Sequence, residues 1–78
     1  MSIEEEVRRI RKQALLSQTE FAEAVGVSFA TVNRWENGKG IPRVSAMKSI
    51  KTFCREQGIS YDQLQKEWCE LASEEKRN

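Results

Sequence analysis

The residues best suited to molecular recognition lie close together in the middle of the chain. Asn33 and Arg34 are followed by Asn37, Lys39 and Arg43. An Asn amide can pair with N6 and N7 of adenine, and an Arg guanidinium can pair with O6 and N7 of guanine. Lys and Arg also bind the phosphates of a nucleic-acid backbone. These residue types are suited to nucleic-acid recognition, although an ordinary solvated surface can carry the same residues.

The positive charge of the chain is concentrated in the same region. The 78 residues contain 13 Lys and Arg against 12 Asp and Glu, which gives a net charge of +1. Residues 34–55 alone contain six cations and one acid, Glu36, and so carry a net charge of +5. A basic third within a nearly neutral chain predicts one basic face, although a solvated helix face without a ligand would give the same sum.

The composition gives little support to catalysis or metal binding. The chain contains no His, the commonest general base and metal ligand, and Cys54 and Cys69 lack the spacing of a metal site. We therefore expect no enzymatic activity, no metal, no cofactor and no small-molecule ligand, with both cysteines as free, buried thiols. The acidic N-terminus is unlike a signal peptide, and no apolar run is long enough for a membrane span. We therefore expect a cytoplasmic, nucleoid-associated protein.

Helix start and stop signals predict an all-α fold of five helices. The signals are three capping boxes, one N-cap serine and two glycines, namely Ser2 with Glu5, Ser17 with Glu20, Ser60 with Gln63, Ser28, Gly26 and Gly58. Pro42 is expected in the first turn of the fourth helix. We assign residues 1–72 to one domain and residues 73–78 to a polar, frayed tail.

Helices 2 and 3 are predicted to form a helix-turn-helix, because a turn of about three residues that contains Gly26 joins them. Val32 and Trp35 are placed in the core by their apolar character. The residues left on the outward face of helix 3 and its flanks are Phe29, Ala30, Thr31, Asn33, Arg34 and Asn37. Such pairs of helices also occur as plain packing units, so periodicity alone leaves both interpretations open.

Residues 16–39, LSQTEFAEAVGVSFATVNRWENGK, resemble the core motif of the Cro/lambda-repressor-like helix-turn-helix family, also named after the xenobiotic response element. The resemblance covers about residues 7–55 and rests on the Ser-Gln start, the Gly turn and the Trp-Glu-Asn-Gly-Lys ending. It implies a compact five-helix lambda-repressor-like domain, with the helix-turn-helix in helices 2 and 3. It also implies a sequence-specific transcriptional regulator, here a repressor, that reads the major groove with helix 3.

The resemblance further implies roles for single residues. Base contacts fall on Phe29, Ala30, Asn33 and Arg34, and phosphate contacts fall on Gln18, Thr31, Asn37, Lys39 and Arg43. Arg11 and Glu36 match an ion pair that ties helix 1 to the end of helix 3, the alternative being two exposed charges. Phe29 departs from the polar residues usual at its position, and it either contacts a thymine methyl group, folds back onto the core or binds a protein.

Helix 5 does not match the family pattern. Its apolar stripe consists of Tyr61, Leu64, Trp68 and Leu71. The stripe is expected to pack on helices 1 and 4, or else to form a homodimer face that suits a palindromic operator in double-stranded DNA. Alternative functions are an antitoxin or a restriction-modification controller that represses its own operon, and a protein-interaction module built on the same fold.

Overall fold

The computed structural model describes residues 2–76, with side chains described for residues 2–71. Its five helices are α1 (Ile3–Gln13), α2 (Gln18–Val25), α3 (Phe29–Glu36), α4 (Val44–Gln57) and α5 (Asp62–Lys76). This part of the chain contains no strand, which confirms the predicted all-α fold. No helix within it is long and apolar enough to cross a membrane.

The first three helices begin at the predicted caps. The hydroxyls of Ser2 and Ser17 accept hydrogen bonds from the backbone N–H groups of Glu5 and Glu20 at 3.3 and 3.1 Å. The two glutamate carboxylates accept in return from the N–H groups of the serines at 3.0 and 2.9 Å. Ser28 caps α3 with its hydroxyl in the same manner. These contacts satisfy donors that a helix start leaves unpaired, and they determine where α1, α2 and α3 begin.

The turn between α2 and α3 depends on Gly26. Its φ and ψ angles are 78° and 33°, a left-handed conformation that a side chain makes costly. The N–H of Val27 then donates to the carbonyl of Ala22 at 2.9 Å, which closes the end of α2. Because of this turn the chain needs only residues 26–28 to pass from α2 into α3.

All five helices contribute to the core, and α5 adds Leu64 to it while packing beside α1. The apolar side chains with no exposed surface are Val7, Ile10, Phe21, Val32, Ile50, Cys54 and Leu64. The rings of Phe21 and Phe53 meet edge to face, with their centroids 5.5 Å apart.

Burial raises the pKa of the Cys54 thiol to about 11. Cys69 is free but exposed, so the expectation of two buried thiols is wrong for this residue.

Three boundaries differ from the prediction or go beyond it. The capping box predicted from Ser60 and Gln63 is wrong, because α5 begins at Asp62 and these two residues form no hydrogen bond with each other. Pro42 lies before α4 and not in its first turn, since Arg43 is the N-cap and the helix begins at Val44. The proline ring is fully buried, so tertiary packing and not helix initiation determines its place. The backbone of α5 continues as helix to Lys76, inside the segment predicted as a tail. Side chains from residue 72 onward lie outside the described part, and the division at residue 72 stays a prediction.

Candidate nucleic-acid interface

The outward surface of α3 carries the residues predicted to contact bases. Phe29, Ala30 and Arg34 are exposed, and Asn33 is half-buried. Phe29 has 50% of its surface accessible, so its side chain does not fold back into the core. The opposite side of α3 is buried through Val32 and Trp35. The helix therefore presents one continuous face to a ligand.

Behind this face lies a buried ion pair between α1 and the end of α3. Nε and Nη2 of Arg11 donate to Oε2 and Oε1 of Glu36 at 2.7 and 2.9 Å. The two side chains are only 14% and 3% exposed. Two parallel hydrogen bonds of this kind fix the relative orientation of guanidinium and carboxylate. The two residues that the resemblance pairs are thus in contact and shielded from solvent.

The surroundings of Glu36 keep it ionised. Burial by itself raises the pKa of this carboxyl, but the hydrogen bonds from Arg11 and Gln18 and the charges of Arg11 and Arg8 outweigh burial and hold the pKa below its ordinary value. Nη2 of Arg8 also donates to the backbone carbonyl of Glu36 at 2.6 Å. This places a cation at the C-terminal end of α3, where the helix dipole favours positive charge.

A chain of amide hydrogen bonds connects the ion pair with the outward face. Nε2 of Gln18 donates to Oε1 of Glu36 at 3.1 Å, and Nδ2 of Asn33 donates to Oε1 of Gln18 at 3.3 Å. Nδ2 of Asn37 donates to the carbonyl and to Oδ1 of Asn33 at 2.8 and 3.1 Å. The structure thus brings together three predicted DNA-contacting residues. Each amide keeps part of its hydrogen-bonding capacity for a ligand.

Arg34 begins a row of cations that continues through the loop between α3 and α4. Its Nη2 lies 3.5 Å from the carbonyl of Lys39, and Lys39 and Arg43 are also exposed. Thr31, Arg34 and Arg43 contribute to a groove of about 360 Å³ between α3 and the start of α4. The Thr31 hydroxyl is hydrogen-bonded to that of Ser28. Unlike the first three helices, α4 begins without a side-chain cap, and uncapped N–H groups favour an anion.

Hydrogen bonds hold the loop that carries Lys39 at both ends. Gly38 has a φ angle of 70°, a left-handed conformation that favours glycine, and the next N–H group, that of Lys39, donates to the carbonyl of Arg34 at 2.9 Å. At the other end, Nε1 of Trp68 in α5 donates to the carbonyl of the buried Pro42 at 2.6 Å. The loop cations therefore project from a segment whose ends are fixed.

Sequence reasoning missed two of the residues that shape this site. Arg8 contacts the end of α3, and Trp68 anchors the loop, yet neither role follows from spacing along the chain. The requirement that a buried indole N–H find an acceptor was a usable signal for Trp68. It does not identify the carbonyl of Pro42, which is 26 residues away.

The apolar stripe of α5 packs within the chain. Leu64 has no exposed surface, Tyr61 and Trp68 are half-buried, and Leu71 is 38% exposed. The hydroxyl of Tyr61 donates to the carbonyl of Met47 in α4 at 3.0 Å, and burial raises the pKa of this hydroxyl to about 12. The assignment of Leu64 to a dimer face is therefore wrong, because its side chain is already enclosed by its own core.

In residues 34–55 the positive charges are exposed and the negative charge is buried. All six cations are exposed, whereas the single acid, Glu36, is buried against Arg11. Within residues 2–71 none of these six cations forms an ion pair. Among the described side chains, the surface charge of this segment is therefore that of six unpaired cations, more than its net charge indicates.

Comparison with known protein families agrees with this arrangement. Residues 7–54 match the family model described as Helix-turn-helix. The chain belongs to the Cro/C1-type helix-turn-helix family. The matched span runs from α1 into α4 and includes every residue predicted to contact DNA, whereas α5 lies outside it.

A curated relative shares this helix-turn-helix segment. The HTH-type transcriptional activator BcrR of Enterococcus faecalis is 34% identical over 53 residues, which make up 68% of this chain. The match spans only 26% of the length of that relative, so it does not extend to the remainder of BcrR. No solved structure matches the chain. The family and the relative together support a DNA-binding transcription regulator.

Proposed function

We propose that the protein is a sequence-specific transcription regulator that inserts α3 into the major groove of double-stranded DNA. The observation that carries this proposal is the exposed face of α3, which is followed in the chain by the exposed cations of the loop. Glu36, the only acid of residues 34–55, is buried against Arg11. Membership of the helix-turn-helix family and the name of the enterococcal relative support it.

In the proposed complex Arg34 makes the strongest base contact, because it is exposed and has no carboxylate partner within residues 2–71. Its contact with the Lys39 carbonyl, at 3.5 Å, is long for a hydrogen bond and easily exchanged for O6 and N7 of guanine. Asn33 is a second base reader, oriented by Gln18. Phe29 meets a thymine methyl group, and Ala30 leaves room for the base edges.

The backbone contacts come from two groups of residues. Lys39 and Arg43 bind phosphates through their charge. Gln18, Thr31 and Asn37 bind phosphates with hydrogen-bonding groups near the outward face of α3. These contacts position the duplex and carry no sequence information of their own.

A selection of random duplexes with the purified protein, followed by mobility-shift titrations across salt, tests the proposal. Arg34→Ala should lose about 1–3 kcal/mol for the selected sequence and relax the preference at one base pair. Lys39→Gln should weaken all duplexes alike and lower the salt slope by about 0.9. Lys66→Gln, an equal loss of charge on the exposed side of α5, serves as the control. The proposal is refuted if no duplex binds more tightly than bulk competitor DNA.

A protein-interaction module is the competing proposal, favoured by the half-exposed Phe29 at the start of α3. It predicts that the natural partner is captured equally well by wild type and Arg34→Ala, while Phe29→Ala abolishes capture. DNA recognition predicts instead that Arg34→Ala loses affinity for the selected duplex. Measuring DNA binding and partner capture with both variants therefore separates the two proposals.

We further propose a homodimer that acts as a cytoplasmic, nucleoid-associated repressor on a palindromic operator. Its half-sites would lie about 34 Å apart, one turn of the double helix. Sedimentation of the protein with and without operator measures the stoichiometry, and two chains per operator are expected. A promoter–reporter fusion then distinguishes repression, including the autoregulation of an antitoxin or restriction-modification controller, from activation, the direction named for the enterococcal relative.

A further inference from the structure

Asn33 lies beside the exposed face of α3, and its side chain is held from two sides. At 3.6 residues per turn it lies within about 60° of both Phe29 and Ala30 on the helix surface. Its Nδ2 atom donates to Oε1 of Gln18 at 3.3 Å. Its Oδ1 atom accepts a hydrogen bond from Nδ2 of Asn37 at 3.1 Å. Both polar atoms of the Asn33 amide therefore have a partner within the chain.

Glu36 determines the direction of the first of these contacts. Hydrogen bonds and positive charges hold the pKa of this carboxyl below its ordinary value, and an ionised carboxylate only accepts hydrogen bonds. It can therefore bind only Nε2 of Gln18, which donates to it at 3.1 Å. The Oε1 atom of Gln18 is then left to face Asn33, which must present its Nδ2 atom in return.

The contact on the other side of Asn33 favours the same direction. The backbone carbonyl of Asn33 is also an acceptor only, and Nδ2 of Asn37 donates to it at 2.8 Å. The same Nδ2 group therefore faces Oδ1 of Asn33. A reversed Asn33 amide would bring two donors together at Asn37 and two acceptors together at Gln18. One orientation of the Asn33 amide is thus favoured from both sides.

The oriented amide keeps the two groups that an adenine edge requires. A side-chain amide has two N–H donors and two acceptor lone pairs, and Gln18 and Asn37 use one of each. One donor and one acceptor remain, and Asn33 is only half-buried. In the major groove adenine presents N7 as an acceptor and N6 as a donor. Guanine and thymine present only acceptors and cytosine only a donor, so adenine alone can pair with both groups.

We propose that Asn33 reads adenine in the recognised site and that Glu36, acting through Gln18, is a positioning residue for this contact. The inference rests on the proposed function, because α3 must enter the major groove before Asn33 can meet a base. Glu36 is 3% exposed and does not itself touch the duplex. Its ion pair with Arg11 therefore contributes to base preference as well as to stability.

Mobility-shift titrations with the selected duplex and its single-base variants test this contact. Asn33→Ala should remove the preference at one base pair. Wild type should favour adenine there by about 5- to 150-fold, the range expected for a good bidentate contact. This base pair then serves as the readout for the other variants.

Two substitutions of Gln18 test the positioning role of Glu36. Gln18→Lys can donate to Glu36 and to a phosphate but cannot accept from Asn33. It should reduce the adenine preference by about fivefold or more, the effect of losing one hydrogen bond, without weakening all duplexes alike. Gln18→Met, which adds no charge and lacks both contacts, should reduce the preference to the same extent.

Lys39→Gln is the control, because it removes a proposed phosphate contact and leaves the amides unchanged. It should weaken all duplexes and keep the adenine preference. Circular dichroism checks that each variant is folded.

If Asn33→Ala changes no base preference, or if the base preferred there is not adenine, the assignment of Asn33 is wrong. If both Gln18 variants keep the adenine preference, Glu36 does not position Asn33. In either case a preference lost in Arg34→Ala still supports the proposed function. If no duplex binds more tightly than bulk competitor DNA, the proposed function itself fails.

Discussion

The buried pair of Arg11 and Glu36 leads to a quantitative prediction for stability. Replacing Arg11 by Met retains much of the stem but removes hydrogen bonds of 2.7 and 2.9 Å from a carboxylate that is 3% exposed. Removing one partner of a buried ion pair costs about 3–5 kcal/mol. Gln18 remains at 3.1 Å and Nε of Arg8 at 3.8 Å, and both partly compensate the charge. We therefore expect a loss near the lower end, about 3 kcal/mol.

Urea unfolding at pH 7, followed by circular dichroism, measures this loss. The free energy of unfolding of a domain of this size is roughly 4–12 kcal/mol, so Arg11→Met should still fold in the cold. With a denaturant slope of about 1 kcal/mol per M, the urea midpoint should fall by about 3 M. Arg55→Met removes an equal charge from an exposed position and should change the free energy of unfolding by no more than about 0.5 kcal/mol.

A second substitution separates the charge from the contact. In Arg11→Met/Glu36→Gln the carboxylate is replaced by a neutral amide of similar shape, so no unpaired charge stays buried. The double variant should therefore be more stable than Arg11→Met alone. A loss below about 1 kcal/mol for Arg11→Met would be the value of an exposed pair, and it would refute the reasoning from burial.

Two further predictions concern pH and the turn after α1. Because the folded state lowers the pKa of Glu36, its ionised form stabilises the fold above the ordinary value of 4.5, and this stabilisation is lost as the pH falls through the lower folded value. Urea midpoints should decline below about pH 4.5, less steeply for Glu36→Gln, and parallel declines would contradict the assignment. Leu15 is 89% exposed at a φ angle of 60°, so Leu15→Gly should raise the free energy of unfolding by about 0.5–1 kcal/mol in thermal melts. Leu15→Ala keeps a Cβ atom and should give no such gain.

The helix ends were predictable because neighbouring residues determine them. Ser17 and Glu20 satisfy each other's backbone donors within one turn, and Gly26 needs no distant partner to end α2. Pro42 shows the limit of such local rules. A proline suits a first helical turn, yet its burial and its carbonyl contact with Trp68 place it before α4.

The sequence predicts which residues form the candidate site better than it predicts the contacts between them. The resemblance to the family selects Gln18, Asn33 and Asn37 as residues that face DNA. It does not show that the Gln18 amide links Asn33 to Glu36, because these partners are 15 and 18 residues away and meet only when α2 packs against α3. Side-chain hydrogen bonds between helices depend on rotamers that the linear pattern does not encode.

The position of α5 explains how a helix outside the family match can still influence DNA binding. Trp68 of α5 donates to the Pro42 carbonyl, and Tyr61, the residue just before α5, donates to that of Met47, so α5 and its first flanking residue support the loop and the first turn of α4. If Lys39 and Arg43 bind phosphates as proposed, Trp68→Phe, which removes the indole N–H, should weaken DNA binding in mobility-shift titrations by loosening the loop that carries them. Leu64 of the same stripe is buried in the core. A dimer contact made through α5 would therefore use its exposed apolar surface, such as that of Leu71.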